Sequence, residues 1–291
     1  MEKLAEYNFT DNFETTDQMV QDFKDKGYLL VRNLFDKDEV EKFIKAMTDS
    51  DAFYKNAYVL EAGERKVPRI TWSHPGSDVT GLAARSEKVV NTCEKLLGGE
   101  VYHYHSKYML KDAKITAPHY WHQDYGYWYN CGNLYPDMMT VWVALDKCTK
   151  ENSCLEILSG SNNCGRIEHH PHDGQIVAQK SRVDVIREKC PHIYAEMNPG
   201  DALFFHCNTL HHSSANRSNL RRWAYIMCYN KATNNPTFAH HHAQYTPIEK
   251  VPNSAIKECT NLTDLSGKEF IHPSQNASIA ELFAKYSANT T

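Results

Sequence analysis

Through its first hundred positions the chain sets its apolar residues mostly at helical spacing, and beyond them mostly in short extended runs. Met19, Val20 and Phe23 share one helical face that stops at Gly27, and Tyr28-Leu-Leu-Val-Arg then reads as a strand. Asp36 is placed to cap a second helix, whose apolar positions Val40, Phe43, Ile44 and Met47 fall at i, i+3, i+4 and i+7. A third helix is predicted from Ser86 through Val89, Val90, Cys93, Leu96 and Leu97, closed by Gly98-Gly99.

From residue 101 the pattern changes to β-like runs divided by turn residues: Val101 to Leu110, Met139 to Leu145, Cys154 to Leu158, His192 to Met197, Ala202 to His206 and Trp223 to Tyr229. Pro199-Gly200-Asp201 punctuates two of them as a turn. Such spacing predicts a mainly β protein, a sandwich or barrel fronted by α-helices. The expected organisation is one domain: N-terminal helices over about 14–100, a strand core over about 101–230 and a C-terminal extension over about 231–291. The polar, His-rich stretch from Asn162 to Lys189 lacks periodicity and reads as an insertion on the rim.

With 41% hydrophobic and 11% aromatic residues, the chain has enough apolar material to build its own core. A net charge of −4 gives no basic footprint, so neither nucleic acid nor an anionic membrane is an expected partner. No run of about 18 apolar residues and no signal core occurs, the last residues are not a peroxisomal address, and a cytoplasmic location is expected. The nine cysteines are odd in number and never spaced Cys-x-x-Cys, which argues against a disulfide framework and for a reducing compartment.

Candidate chemistry begins at Tyr120-Trp121-His122-Gln123-Asp124. In an extended strand positions i and i+2 share a side, so His122 and Asp124 can offer an imidazole nitrogen and a carboxylate oxygen to one ion. Alone this is weak, because 16 histidines make an accidental His-x-Asp easy to find. Downstream, Phe204-Phe205-His206 through His211-His212-Ser213 to Arg221-Arg222 supplies further histidines and, 11 residues after His211, a guanidinium. Two histidines and a carboxylate on one octahedral face leave positions open for iron(II) and oxygen chemistry. An arginine fork suits the far carboxylate of a chelating oxo-acid better than a lysine does.

These stretches resemble the phytanoyl-CoA dioxygenase (PhyH) family of iron(II)/2-oxoglutarate oxygenases. The similarity runs from Phe23-Lys-Asp-Lys-Gly-Tyr-Leu-Leu-Val to about Tyr229 and includes His122-Gln123-Asp124. Glu151-Asn152-Ser153-Cys154-Leu155 through Ser159-Gly160-Ser161 is similar to the family's turn. Pro199-Gly200-Asp201 followed by His211-x-Ser213, Asn216-x-Ser218 and Arg221-Arg222 is similar to its distal-histidine motif. The resemblance implies a double-stranded β-helix, a cupin-like jelly roll, with His122, Asp124 and His211 as iron ligands. It implies Arg222 and Ser213 as partners of the 2-oxoglutarate 5-carboxylate, with Met109, Trp142 and Gln123 beside the cosubstrate. Iron(II), 2-oxoglutarate and O2 are the implied cofactor and cosubstrates, and hydroxylation of a small organic metabolite with release of succinate and CO2 is the implied reaction. Ser159, Asn162 and His212 depart from the family pattern. With a carboxylate at Asp124, the position a halide would take is occupied, which favours hydroxylation.

Rival readings attach to several residues. His206 ends an apolar strand and reads as packed, His212 faces away from His211 if the strand continues, and Arg221 reads as a solvated charge. Tyr125, Tyr127, Trp128 and Tyr129 either wall the substrate pocket or pack in the core. Lys180, Arg182, Arg187 and Lys189 suit an anionic substrate tail or a solvated face. The runs His169-His170-Pro171-His172 and His240-His241-His242 suggest zinc, but adjacent histidines in a strand cannot all face one ion. The alternatives to hydroxylation of a free metabolite are an acyl-CoA substrate, desaturation or cyclisation with the same machinery, and a non-catalytic jelly-roll binding module.

Overall fold

The computed structural model describes residues 4–272 apart from 50, 63–64 and 115–117, together with residue 284. The N-terminal part comprises β1 (Glu6–Asn8), α1 (Asp17–Lys26), β2 (Tyr28–Arg32), α2 (Lys37–Thr48), β3 (Tyr58–Ala62), β4 (Arg65–Ser73), α3 (Val79–Arg85) and α4 (Glu87–Leu97). The central part runs through β5 (Val101–Lys111), β6 (His119–His122), α5 (Tyr125–Trp128), β7 (Met138–Ala144), β8 (Leu155–Leu158), β9 (His169–His172), β10 (Gln175–Ala178) and α6 (Lys180–Lys189). There follow β11 (His192–Ala195), β12 (Ala202–His206), β13 (His211–Ser213), β14 (Arg222–Lys231), α7 (Ser254–Glu258) and β15 (Glu269–Phe270).

A major sheet runs β1-β2-β12-β7-β14-β5-β4-β15, with β3 on β4, and a minor sheet runs β11-β8-β13-β6. Together they form a double-stranded β-helix. Helices cover the outer face of the major sheet, where Tyr108 of β5 donates a hydrogen bond to the Phe43 carbonyl and Tyr229 of β14 to that of Ala84. Trp72, Phe53, Tyr108 and Tyr225 pack ring on ring on that face. By the period of two, Lys107, Met109 and Lys111 of β5 therefore turn to the inner face, toward the minor sheet.

The helix signals hold. Thr16 and Asp36 cap α1 and α2 through capping boxes, and Gly27 and Gly98 end α1 and α4 in the left-handed conformation. Gly200 also sits at positive φ, and a Cβ there would lie 2.0 Å from the Phe35 carbonyl oxygen, so the predicted Pro-Gly-Asp turn docks backbone to backbone.

Two expectations need correction. Besides the expected strand at Tyr28–Arg32, the N-terminal region contributes β1, β3 and β4 to the major sheet. The stretch from Asn162 to Lys189 is no loose rim: it folds as the β9–β10 hairpin and α6. Ile167, Ala178, Val183 and Ile186 there form a second buried cluster with Leu158 and Leu210. The strands are too short to display a period and α6 buries only Val183 and Ile186, so the apolar face exists only once hairpin and helix fold on each other. The expected C-terminal extension continues past residue 272 into positions that, residue 284 apart, lie outside the described residues.

Candidate metal centre and anion pocket

β6 and β13 pair with His122 opposite His211, which places the two rings 4.0 Å apart. The Nδ1 of His122 lies 2.8 Å from the Tyr120 carbonyl oxygen and that of His211 2.9 Å from Thr209's. A carbonyl only accepts, so both Nδ1 atoms carry the proton and both Nε2 lone pairs are free to bind a cation. Each Nε2 stands 3.9 Å from Asp124 Oδ1, and the three residues offer ligand atoms within 4.8 Å of one another.

Asp124 does not reach this position along an extended strand as the sequence suggested. β6 ends at His122, and Asp124 is helical, its carbonyl accepting from Tyr127 and Trp128 at the start of α5. The turn is fixed by Gly126, where a Cβ would lie 2.1 Å from the His169 ring. His169 is itself fully buried, donating to the Ile167 carbonyl and accepting from the Gln123 N–H, so it braces the turn from behind.

Tyr127 and Thr140 donate hydroxyl hydrogen bonds of 2.7 Å to Asp124 Oδ1 and Oδ2. Burial pushes this carboxyl up, but His211, Lys107 and the two hydroxyls outweigh it and hold Asp124 below the ordinary carboxylate range. Burial, reinforced by neighbouring imidazoles, keeps His122 well below the usual histidine value, and burial also lowers His211. An anionic carboxylate and two neutral imidazoles are the protonation states a divalent cation requires.

Two positions along β13 from His211, Ser213 adjoins a pair of buried cations, Lys111 and Arg222. Arg222 is 0% exposed, its three guanidinium nitrogens have no hydrogen-bond partner, and its guanidinium lies 5.4 Å from the Trp142 ring centroid. Lys111, its register partner on β5, is buried and donates to Ser213 Oγ at 3.0 Å and to the Ser214 carbonyl. Burial and then Arg222 push the Lys111 ammonium well below its usual value. Two buried cations without a carboxylate between them have the chemistry to receive the free end of a small dianion.

Met109 is buried on β5, opposite Ala224 of β14. The Gln123 amide is directed elsewhere: it donates to the Gly165 and Asn208 carbonyls and accepts from the Ile167 N–H. It therefore braces the loops around the centre and has no hydrogen left for a cosubstrate.

Among the aromatic candidates only Tyr127 touches the metal-ligand set. Tyr125 is buried and donates to the Asn133 carbonyl, Trp128 packs on Tyr104 and His105, and Tyr129 is exposed under Arg166. His206 packs against Phe23, and His212 faces Glu156 and Trp121 on the outer side of the minor sheet. Arg221 pairs with Asp146 and lies over Trp223. Lys111, Lys107 and Thr140 escaped the sequence reading. A usable signal existed in Lys107 and Lys111, four positions apart and so on one face of a predicted strand.

The sequence matches the family description of phytanoyl-CoA dioxygenase (PhyH) over residues 23–224. It is 28% identical over 226 residues to the L-proline trans-4-hydroxylase of Streptomyces griseoviridis, covering 72% of this chain and 84% of that one. To the ectoine dioxygenase of Bordetella parapertussis it is 28% identical over 241 residues, covering 74% and 75%. The apoform of EctD from S. alaskensis superposes with a TM-score of 0.71 at 19% identity, over 87% of this chain and 93% of that one. The 2-oxoglutarate-dependent carbocyclase SnoK of nogalamycin biosynthesis does so with 0.62 at 19% identity, over 90% and 98%.

Proposed function

The chain belongs to the phytanoyl-CoA dioxygenase (PhyH) family, and from that premise we propose which residues perform its chemistry and what kind of substrate it takes. It is an iron(II)- and 2-oxoglutarate-dependent dioxygenase that hydroxylates a small organic metabolite, as its curated relatives do. His122, Asp124 and His211 hold the iron, Tyr127 and Thr140 orient the Asp124 carboxylate, and Arg222, Lys111 and Ser213 receive the 5-carboxylate of 2-oxoglutarate. The observation that carries this assignment is the Arg222 guanidinium, buried with no hydrogen-bond partner beside a convergent His-Asp-His set. Bound iron(II) and 2-oxoglutarate would supply the hydroxylation chemistry with O2 as the oxidant, one oxygen atom of O2 entering the product hydroxyl and the other the succinate that is released with CO2. The protein orients both reactants and excludes water.

The substrate is a free metabolite bearing an anionic group, not a CoA thioester. Lys107 lies two positions before Met109 on the inner face of β5, close enough to bias Asp124 and His211. It makes no hydrogen bond or ion pair among the described residues. An unpaired ammonium at the edge of the metal centre suits a substrate carboxylate. The basic run Lys180 to Lys189, the alternative anchor, is helix α6, and Arg187 lies 5.9 Å from the ring of Trp121, on the outer side of the minor sheet. That helix faces away from the metal centre.

The test is substrate-stimulated succinate formation across a panel of free acids and amines and their matched CoA thioesters at equal concentration. Stimulation by acids, with the KM for the acid raised at least about tenfold in Lys107→Met by loss of a charge-assisted contact, supports the assignment. Stimulation by thioesters alone, suppressed by neutralising Lys180, Arg182, Arg187 and Lys189, overturns it.

A further inference from the structure

A second set of ligand groups lies outside the iron centre, where the C-terminal segment meets the turn that follows α5. Cys131, His241 and His242 each offer one donor atom, and these atoms lie within 4.8 Å of one another. Adjacent histidines in a strand would point to opposite sides. Here residues 241 and 242 form a bend, and the two rings turn together, 4.1 Å apart. Cys131 and His242 are buried, at 2% and 8% exposure, and His241 is partly so.

Three of the four ring nitrogens of His241 and His242 lack hydrogen-bond partners. Both ring nitrogens of His241 and the Nδ1 of His242 are shielded from solvent without a hydrogen bond. His240 turns its Nδ1 to the His242 backbone N–H and its ring also meets the Cys131 backbone, so it braces the cluster from outside the ligand set. Each unsatisfied buried group costs about 1–3 kcal/mol, so several in one place call for a ligand that accepts their lone pairs. On the far side His105 stacks on the His242 ring at 4.8 Å and Tyr104 packs against it at 4.5 Å, which fixes the ring's orientation.

The geometry points to a second metal site in which Cys131, His241 and His242 bind a divalent transition ion of zinc type. One sulfur and two imidazoles, with no carboxylate, form a donor set too soft for magnesium or calcium and unlike the carboxylate-bearing face that suits iron(II). Three protein ligands leave the fourth tetrahedral position to water. Binding releases the thiol proton and ties two separate parts of the chain together. One is the 129–131 turn, which continues directly from α5 and so from Asp124 and Tyr127. The other is the segment after β14, which leaves the core beyond Lys231. The ion clasps the C-terminal extension over Trp128 and His105, next to the metal-binding turn.

The experiment uses the full chain, stripped of metal with a chelator and reconstituted with Zn2+ or Co2+. Wild type should retain two equivalents of zinc after gel filtration, Asp124→Ala one, Cys131→Ser one, and the double variant none. Cobalt separates the sites by ligand type. Only this site contains sulfur, so a thiolate-to-cobalt charge-transfer band in the near ultraviolet should persist in Asp124→Ala and vanish in Cys131→Ser. His241→Gln, at a partly exposed position, should weaken this zinc equivalent by at least about 100-fold, the upper end of what even indirect ligand supports contribute, while iron content stays at one equivalent. A single zinc equivalent that disappears in Asp124→Ala, no sulfur-to-cobalt band in that variant, or two equivalents retained in Cys131→Ser would overturn the proposal.

Discussion

Replacing Arg222 with methionine should move stability and cosubstrate affinity in opposite directions. The guanidinium is fully buried, has no hydrogen-bond partner and lies near the buried Lys111. Without 2-oxoglutarate the fold therefore bears the desolvation of two like charges. A methionine fills similar volume without charge, and exchanging buried ionic groups for apolar ones is often neutral or stabilising by about 1–4 kcal/mol. At about 2–4 °C per kcal/mol for a domain of this size, Tm of the cosubstrate-free protein should stay level or rise by several degrees. Binding goes the other way. A bidentate contact contributes two hydrogen bonds to a charged group at about 1.5–3 kcal/mol each. With Lys111 and Ser213 still in place the lower end applies, a loss of about 3 kcal/mol and a roughly hundredfold higher 2-oxoglutarate requirement. Arg222→Lys should recover only part of this, because an ammonium lacks the planar fork. Calorimetric melting with and without 2-oxoglutarate, together with succinate formation against its concentration, reads both effects. A variant that melts well below wild type and keeps its 2-oxoglutarate KM would refute the reasoning.

Other regions carry separate expectations. Burial holds His169 and His206 down at about 4, so the native state stays neutral while the unfolded chain protonates below about 6.5. Stability is therefore fully present above pH 6.5 and falls on acidification toward pH 4, each histidine withdrawing about 2 kcal/mol by pH 5, and urea midpoints at pH 7 and 5 should show it. Lys88 and Glu39 form a buried ion pair at 2.7 and 2.8 Å. Lys88→Met alone should destabilise by about 3–5 kcal/mol in denaturant titrations, and adding Glu39→Leu should recover most of it. Gly126→Ala drives a methyl into the His169 ring, so it should lower iron affinity in equilibrium dialysis even though residue 126 carries no ligand.

The sequence was most legible where local chemistry and tertiary fold agree. Asp36, Gly27 and Gly98 announce helix ends through caps that depend only on neighbouring backbone, and those ends stand where expected. β7, β12 and most of β14 are nearly continuous apolar runs because both their faces are covered. His122, Asp124 and His211 came together as expected, but the route to Asp124 did not follow. A period of two is a property of strands, and the helical turn at Asp124 is set by distant partners, the His169 ring and the Cys207 carbonyl that accepts from Tyr125. The Gln123 amide was misdirected for the same reason, since Gly165, Ile167 and Asn208 are its neighbours only in the fold. Lys111 escaped notice because a lysine in a strand ordinarily faces solvent, and only the pairing of β5 with β14 reveals that it is buried beside Arg222.

The most direct test of the central claim pairs iron content with succinate formation in the same samples. Wild type should bind one equivalent of iron(II) at the His122-Asp124-His211 centre and form succinate from 2-oxoglutarate only with iron present. Asp124→Ala and His211→Ala should lose both the iron and the succinate, whereas His206→Ala and His212→Ala should retain both. Full iron and undiminished succinate in Asp124→Ala, or loss of iron in His212→Ala with retention in His211→Ala, would contradict the assignment.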